Sequence, residues 1–489
     1  MDQKSPLLGE CDNARPLGRS VRVLISITNA WPKALLRELD DLPWGFANRQ
    51  PAQLLIHFGR CTVTPIGESQ MKSVRISIAL VVILAPCSFS GQATSQPKQS
   101  EIDTANRLFQ VGKFAEAGKL YSRMAAQNPK DYSATLQLGR IALLSNLLDD
   151  AQKWLEKAIT LQPSDTDAKV MLAEVFYRRD DFQKAASSLS GVDVSSNKLI
   201  ASQYPTLNVA KLESFKGQTP YEVHGDGQTT RLKFLKTDPL PLVSVRVNGG
   251  DEVTFFIDTG GSEVALDTEF AKELGLPQFG EVQGTFSGGE HADVQQSRIE
   301  SLTVGDWTIK NLPIVTLALR QLSEGLGVKR IDGCIVTNLL YHFLATLDFP
   351  HGELVLRRKT TKSLEQFAAA SSGNSVAVPF WIASDHFMVG WGRVETIPPA
   401  LLFVDTGLAG AGVKLAESVI KEAGIKLEKD KASEGAGGGG KLKIVPYTVR
   451  RLSFGDRSLR WAVPVGQHIW LPTRRHGRPR FLQALCGDL

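Results

Sequence analysis

Phe255-Phe256-Ile257-Asp258-Thr259-Gly260 is the stretch that decides the fold, because the chain carries a second copy of its pattern, Leu402-Phe403-Val404-Asp405-Thr406-Gly407. In each copy three apolar residues come directly before Asp-Thr-Gly, which is typical of a buried strand that ends in a tight turn. One triplet alone carries little information, since aspartate and glycine also favour ordinary turns. Two triplets in matched surroundings favour a duplicated unit.

The segments around the two triplets follow one order. An alternating apolar run, a turn at Asn248-Gly249-Gly250 and a second run predict a hairpin that leads into Asp258. Residues 387–394 and 401–404 predict the corresponding strands before Asp405. After each triplet come an amphipathic helix that ends at glycine, a glycine-rich stretch and a Leu-x-x-Gly-Asp segment. These pairs are 269–275 and 415–424, 284–289 and 435–440, and 302–306 and 452–456.

This duplication resembles the pepsin and retropepsin clan of aspartic proteases over residues 237–489. The resemblance implies two mostly-β lobes, residues 237–360 and 374–489, which face each other across a cleft. It further implies that Asp258 and Asp405 form the catalytic pair at the base of that cleft.

The same resemblance assigns supporting roles to neighbouring residues. Thr259 and Thr406 are expected to brace the two catalytic turns, while Gly260 and Gly407 allow the backbones to approach closely. The glycine-rich stretches are expected to be flaps over the substrate. The flap residues are Phe286, Gly288 and Gly289 in the first lobe, and Gly437 and Gly438 in the second.

Paired carboxyl groups explain why the clan needs aspartate twice. Two carboxylates about 3 Å apart cannot both ionise, so they share one proton and titrate as a pair. The ionised member activates a water molecule, and the protonated member donates a proton to the reacting group. This chemistry needs no metal and no cofactor, and its partner is a peptide or protein substrate.

Three departures from the clan concern the support of the catalytic turns. Val336 stands where the clan usually has glycine, and Gly261 and Leu408 stand where a small or hydroxyl residue often follows the triplet. Leu485-Cys486-Gly487 resembles the start of the late strand–helix element of the second lobe, which is not continued. We therefore expect an incomplete second lobe and weak or absent cleavage. The competing hypothesis is an inactive protease-like module that binds a protein or peptide.

A helical repeat precedes this region. Aligned positions recur every 34 residues, with small residues in some columns and large apolar residues in others. The columns are Ala105, Gly139 and Ala173; Phe109, Leu143 and Tyr177; Phe114, Leu148 and Phe182; Ala117, Ala151 and Ala185. The pattern resembles tetratricopeptide repeats over residues 100–195, followed by a linker at 196–236. Two roles remain open: a groove that docks a partner or substrate, or a spacer.

Residues 71–93 have the anatomy of a secretory signal peptide, with a basic start at Met71, an apolar run and small residues after it. We expect export to the periplasm or outside the cell, with residues 1–70 a non-native upstream extension. A buried apolar segment of a cytoplasmic protein is the alternative. The apolar run is too short to span a membrane, and Pro86 makes a lipid anchor at Cys87 a poor fit.

Composition excludes several other classes of protein. The 489 residues carry a net charge of only +5, so we infer no nucleic-acid partner, although the arginines at 474–480 could form a basic patch. Five scattered cysteines and no HExxH motif indicate neither a disulfide scaffold nor a metal enzyme. The predicted fold is therefore multidomain, with an all-α tetratricopeptide-like region followed by a mostly-β, two-lobed, acid-protease-like domain.

Overall fold

The computed structural model describes residues 21–26, 53–58, 96–286, 291–370, 375–409, 413–455, 457–459 and 466–469. The predicted order of domains is confirmed, because the helices of residues 96–213 precede a region that is mostly β. The predicted signal peptide, Cys87, Gly288, Gly289, Leu485-Cys486-Gly487 and the arginines at 474–480 lie outside the described residues.

Three helix pairs form the repeat region. Aspartates at 131, 165 and 181 cap three of the helices by accepting hydrogen bonds from backbone N–H groups one turn in. Gly139 shows why a small residue recurs, because a Cβ atom there would lie 2.8 Å from Leu155 on the neighbouring helix. The helices are α1 Gln96–Gln110, α2 Phe114–Gln127, α3 Tyr132–Leu144, α4 Leu148–Leu161, α5 Thr166–Tyr177 and α6 Phe182–Ser188.

Residues 196–236, expected as a linker, contain short elements that belong to the packed domains. They form helices α7 Lys198–Gln203 and α8 Val209–Glu213 and strands β3 Glu222–His224 and β4 Thr229–Lys233. Both strands pair with strands of the first lobe at the edges of two sheets. Their sequences are too short to show a period, so the partner strand decides their conformation.

The first lobe is built around a twisted sheet in the order β3-β10-β7-β11-β6-β5-β9-β8, in which β9 and β10 also pair. The predicted hairpin before Asp258 is present as β5 and β6. The other strands and helices follow the predicted order, with helix α9 at Thr268–Glu273 and α10 at Thr337–Leu340. The strands are β5 Leu242–Val247, β6 Glu252–Asp258, β7 Val264–Asp267, β8 Glu281–Thr285, β9 His291–Val304, β10 Trp307–Leu317, β11 Gly333–Val336, β12 Phe343–Asp348 and β13 Glu353–Arg358.

The second lobe follows a similar order of elements, divided between separate sheets. Helix α11 Thr361–Ala370 connects the lobes, and α12 Glu417–Glu422 corresponds to α9. One sheet contains β15, β16, β17, β20 and β21, and another contains β18, β19 and β22. The strands are β14 Ser375–Pro379, β15 Trp381–Ala383, β16 Phe387–Val394, β17 Ala400–Phe403, β18 Ser433–Gly437, β19 Gly440–Tyr447, β20 Leu452–Phe454, β21 Arg457–Leu459 and β22 Gly466–Ile469.

A six-stranded sheet joins the lobes in the order β14-β2-β1-β12-β13-β4. Two of its strands, β1 Val21–Ser26 and β2 Gln53–Phe58, come from residues 1–70, where the sequence shows no sustained strand period. They lie antiparallel between β12 of the first lobe and β14 of the second. That residues 1–70 are a non-native upstream extension stays a prediction.

The repeats pack against both lobes. The ring of Phe114 at the start of α2 contacts Trp381 of β15 edge to face, 5.3 Å between centroids. Leu401 of β17 lies beneath the turn at Gly112, where an added Cβ atom would be 2.6 Å away. Further along, helices α3 to α6 share one apolar core with the first lobe. Within the described residues, no helix is long and apolar enough to cross a membrane.

Candidate active site

The two Asp-Thr-Gly turns lie at equivalent ends of β6 and β17. Strand β6 runs between β5 and β11, and its last residue, Asp258, is in register with Val336 of β11. Phe255 and Ile257 are fully buried, so the strand that carries the turn is fixed by the core of the lobe. Asp405 follows β17 by two residues, and both aspartates are partly accessible.

The threonines of the triplets connect the two turns by four hydrogen bonds. Thr259 N–H donates to Thr406 Oγ1 at 3.0 Å, and Thr406 N–H donates to Thr259 Oγ1 at 3.0 Å. Each hydroxyl in turn donates to the carbonyl oxygen before the opposite aspartate, Val404 O and Ile257 O, also at 3.0 Å. Because the bonds are reciprocal, the lobes are held in a two-fold arrangement at the level of the carboxyl groups.

Glycine is needed at the third position of each triplet. Gly260 N–H donates to Asp258 Oδ1 at 2.7 Å, and Gly407 N–H donates to Asp405 Oδ1 at 2.8 Å. A Cβ atom on Gly260 would lie 2.8 Å from the carboxyl carbon of Asp405, and one on Gly407 would collide with the carboxyl of Asp258. The opposite carboxyl group therefore occupies the space that a side chain would need.

The electrostatics of the pair favour one shared proton. Burial, followed by the neighbouring Asp405 carboxylate, raises the pKa of Asp258 to about 8. Burial also raises the pKa of Asp405, while the hydrogen bonds from Gly407 N–H and from Asp258 oppose that rise. Asp258 is therefore the member that holds the proton and donates it to an ionised Asp405.

Lys414 adds a positive charge on the side of Asp405. Its ammonium group lowers the pKa of Asp405, and burial lowers the pKa of Lys414 itself. The residue lies in the segment that leads to α12, where the first lobe has an apolar strand, β7. This cation makes the two sides of the pair electrostatically different.

Two hairpins form at the positions along the chain where flaps are expected. The first is formed by β8 and β9, and the second by β18 and β19. The ring of Phe286 fills the space beside Gly438, so that an added Cβ atom on this glycine would overlap with the ring. Gly437 accepts a hydrogen bond from Gln321 of the first lobe at 3.3 Å. The flaps therefore meet through Phe286 and Gly438.

Support behind the second turn differs from support behind the first. In the first lobe, Thr337 Oγ1 donates to Thr259 O at 2.8 Å, and β11 pairs with β6. Within the described part of the second lobe, β17 pairs with β16 alone. The outer side of β17 is instead covered by the repeats, through Leu401.

Several residues at the site carry no sequence signal. His386 and Asp385 lie in the turn between β15 and β16, and His386 Nε2 lies 3.0 Å from Gly260 O. Lys211 of α8 donates to both carboxylate oxygens of Glu263 at 2.7 Å, and both side chains are fully buried. Gly260 and Glu263 lie far along the chain from His386 and Lys211, so no local motif indicates these contacts. Lys414, close to Asp405 in sequence, likewise belongs to no recognisable motif.

No metal centre accompanies these groups in the described part of the chain, where no three His, Cys, Asp or Glu side chains cluster suitably. Two carboxyl groups in contact can act on a water molecule through their own protons. Chemistry of this kind requires a general base and a general acid in contact with the same water.

Two family models match segments of the predicted helical region and of the predicted first lobe. Residues 243–335 match the family model described as aspartyl protease, and residues 108–160 match the model described as tetratricopeptide repeat. The predicted resemblances are thus confirmed over these residues, which lie in the helical region and in the first lobe. No curated protein is a significant match to the sequence.

Solved structures resemble separate parts of the chain. A retropepsin-like aspartic protease from Rickettsia conorii is 20% identical, covering 28% of this chain and 96% of its own, with a TM-score of 0.21. The Yersinia enterocolitica type III secretion translocator chaperone SycD is 15% identical, covering 26% of this chain and 100% of its own, with a TM-score of 0.23. SycD in complex with a peptide of the translocator YopD is 16% identical, covering 26% and 99%, with a TM-score of 0.23.

Proposed function

We propose that this protein is an aspartic-type endopeptidase that hydrolyses peptide bonds with Asp258 and Asp405. The observation that carries the proposal is the reciprocal set of hydrogen bonds between Thr259 and Thr406, which brings two carboxyl groups together with one proton between them. A structural turn has no need for two carboxyl groups in contact, since their repulsion destabilises the fold.

The roles of the two aspartates follow from their protonation. Ionised Asp405 accepts a proton from a water molecule held between the carboxyls, and the water oxygen attacks the peptide carbonyl. Asp258 gives its proton to the carbonyl oxygen as the tetrahedral intermediate forms. A proton then passes from Asp405 to the amine nitrogen and the C–N bond breaks, while a hydroxyl of the diol intermediate returns its proton to Asp258. The new carboxylic acid and amine leave, and the pair again holds one proton.

The flaps define the class of substrate. An extended peptide that enters between Phe286 and Gly438 on one side and the carboxyls on the other is flanked by two hairpins with backbone donors. Glycines in the second flap leave room for the peptide and allow the flap to open. Unfolded protein segments fit this cleft, because an extended chain is needed to reach the carboxyls.

The contacts of the repeats support a role in holding the two lobes together. Phe114 and Leu401 connect the first repeat to the second lobe, and the later repeats share a core with the first lobe. Docking of a separate partner or of the substrate on the repeats remains a prediction.

A second candidate function is a weak or inactive protease-like module that binds an extended peptide. Within the described residues, β6 pairs with both β5 and β11, whereas β17 pairs with β16 alone. This weaker support of the second turn favours the alternative. Loose positioning of Asp405 by about 1 Å would cost on the order of 100-fold in rate. Peptide binding without turnover, measured by calorimetry, would support this alternative.

Substitution of the pair tests the proposed chemistry. Asp258→Asn and Asp405→Asn should each abolish hydrolysis of casein, and the double variant should be no worse than either, because the residues act as one unit. Turnover should persist in a metal chelator. Near-normal cleavage by either single variant would show that the carboxyl pair is not the catalytic group.

Export through the segment starting at Met71 is also part of the proposal. Its basic start and apolar run support cleavage between Pro86 and Thr94, which would remove β1 and β2 from the interlobe sheet. Mass spectrometry of the native amino terminus is the test. Peptides from residues 21–58 in the purified native protein would contradict export by this route.

A further inference from the structure

The backbone of the first catalytic turn is held by a histidine of the other lobe. His386 Nε2 lies 3.0 Å from Gly260 O, while His386 Nδ1 contacts Asp385 Oδ1. A carbonyl oxygen can only accept, so Nε2 carries hydrogen and donates to Gly260. This arrangement fixes the orientation of the ring.

Gly260 is a sensitive point of the turn. Its N–H group donates to Asp258 Oδ1 at 2.7 Å, so the orientation of this residue sets the position of the protonated carboxyl. Thr337 Oγ1 holds the preceding carbonyl, Thr259 O, at 2.8 Å. The two successive carbonyls are thus fixed from different lobes, one by Thr337 and one by His386.

The turn that carries His386 is in turn held by the repeats. Arg178, directly after α5, donates from Nη2 to Ser384 O at 2.7 Å, from Nη1 to Leu143 O at 3.0 Å and from Nε to Glu174 Oε1 at 2.7 Å. All three groups of the guanidinium are engaged, and its side chain is only 5% exposed. Ser384 has a positive φ of 54°, a conformation that needs such external support.

Charged side chains of neighbouring elements lie around His386. The charge of Asp385 acts to raise the pKa of Glu174 and of Lys211, and His386 acts to lower the pKa of Asp405. The ring of Phe387 lies beside the imidazole, tilted by 42°, with 3.9 Å between the ring centroids. The histidine is therefore enclosed between the repeats, its own lobe and the catalytic turn, with little freedom to adopt another hydrogen bond.

We infer that Asp385 and His386 are positioning residues for the proposed protease, and that Arg178 of the repeats sets them in place. On this inference the repeats are part of the active-site support, since a continuous set of hydrogen bonds runs from Glu174 through Arg178 and Ser384–His386 to Gly260. The inference rests on the proposed function and adds a role for the repeats beyond docking or spacing.

The test compares two substitutions of one residue in the full chain. His386→Phe keeps a ring beside Phe387 and removes both N–H groups, so kcat on casein should fall by roughly 10- to 100-fold with KM nearly unchanged. His386→Gln keeps an amide N–H donor and should retain most of kcat. Arg123→Gln is the control in the repeats, because Arg123 forms an exposed ion pair with Glu101.

Arg178→Lys extends the test to the repeats. This substitution should also lower kcat. Adding it to His386→Phe should lower kcat little further, because both changes release the same turn. Since loss of the guanidinium could unfold the chain, hydrogen exchange of residues 255–262 is measured in variants that still unfold cooperatively. His386→Phe should speed exchange of the Gly260 amide.

The outcomes separate this inference from the proposed function. Full kcat and unchanged exchange in His386→Phe overturn the inference, even where Asp258→Asn abolishes turnover. Undiminished turnover in Asp258→Asn overturns the proposed function, while exchange at Gly260 still tests the positioning. Equal loss of kcat in His386→Gln and His386→Phe would contradict the role of the donated hydrogen bond.

Discussion

The Cγ1 atom of Val336 lies 2.7 Å from the position that a Cβ atom on Gly261 would occupy. The sequence shows these two residues as separate departures from the aspartic protease clan. The structure shows that they compensate, because the glycine after the triplet leaves space for the valine at the end of β11. Val336 is completely buried behind Asp258 and does not displace its turn.

Gly261→Ser should therefore destabilise the protein by about 1–3 kcal/mol, the usual range for overpacking a core. Val336→Ala in the same chain should recover part of that loss by vacating the space, so the two changes should not add. Urea unfolding of the two single variants and the double variant measures the coupling. Gly325→Ser is the control, because its Cβ position meets nothing closer than 3.8 Å. Additive effects would contradict the compensation.

Contact between the flaps is the basis of a second prediction. Gly438→Val should lower kcat/KM on the order of 10-fold, because the new side chain overlaps with the ring of Phe286 and keeps the hairpins apart. Phe286→Leu should restore much of the activity when combined with it. Steady-state kinetics on an unfolded substrate measures both effects, and Gly325→Val is the matched control. If Gly438→Val has wild-type kinetics, the flaps do not close through this contact.

The pH dependence of activity should be asymmetric around the pair. Asp258 must be protonated to act as the acid, so activity should fall as pH rises through its pKa of about 8. Lys414 lowers the pKa of Asp405, so Lys414→Met should move the acidic limb of kcat/KM to higher pH. Rate profiles of both proteins between pH 3 and pH 10 measure the shift. An unchanged acidic limb would show that Lys414 does not act on the pair.

The free energy of unfolding should also depend on the proton that Asp258 holds. The folded state holds the Asp258 proton up to about pH 8, whereas the unfolded chain releases it near 3.8. The folded state therefore binds more protons between these values, and stability falls as pH rises through this window. Asp258→Asn removes the effect and should stabilise the protein at pH 8 more than at pH 4. Equal effects at both values in urea unfolding would contradict the raised pKa.

The buried pair of Lys211 and Glu263 should be costly to break. Lys211→Met leaves the carboxylate of Glu263 buried without its ammonium partner, at a cost of about 3–5 kcal/mol. Adding Glu263→Leu should recover most of that stability, because no charge then remains. Urea unfolding measures each step, with Lys272→Met in the exposed pair with Glu269 as the control. A small effect of Lys211→Met alone would show that the pair is not buried in solution.

The sequence could predict those features that repeat or that depend on neighbouring residues. The duplicated triplets indicated Asp258 and Asp405, and the column of small residues that includes Gly139 indicated close helix packing. The strands of residues 222–233 were missed, because their conformation depends on partners more than 80 residues away along the chain in β10 and β13. His386 and Lys211 were missed for the same reason, since their partners Gly260 and Glu263 lie far away along the chain. Lys414 was missed because a lone lysine after the second triplet forms no motif.

The most direct test of the account is the release of new amino termini from casein at neutral pH by the purified full chain and by its Asp405→Asn variant. The wild-type protein should cleave casein slowly, because the second turn has less strand support. The Asp405→Asn variant should not cleave it. Equal cleavage by the two proteins would contradict the account.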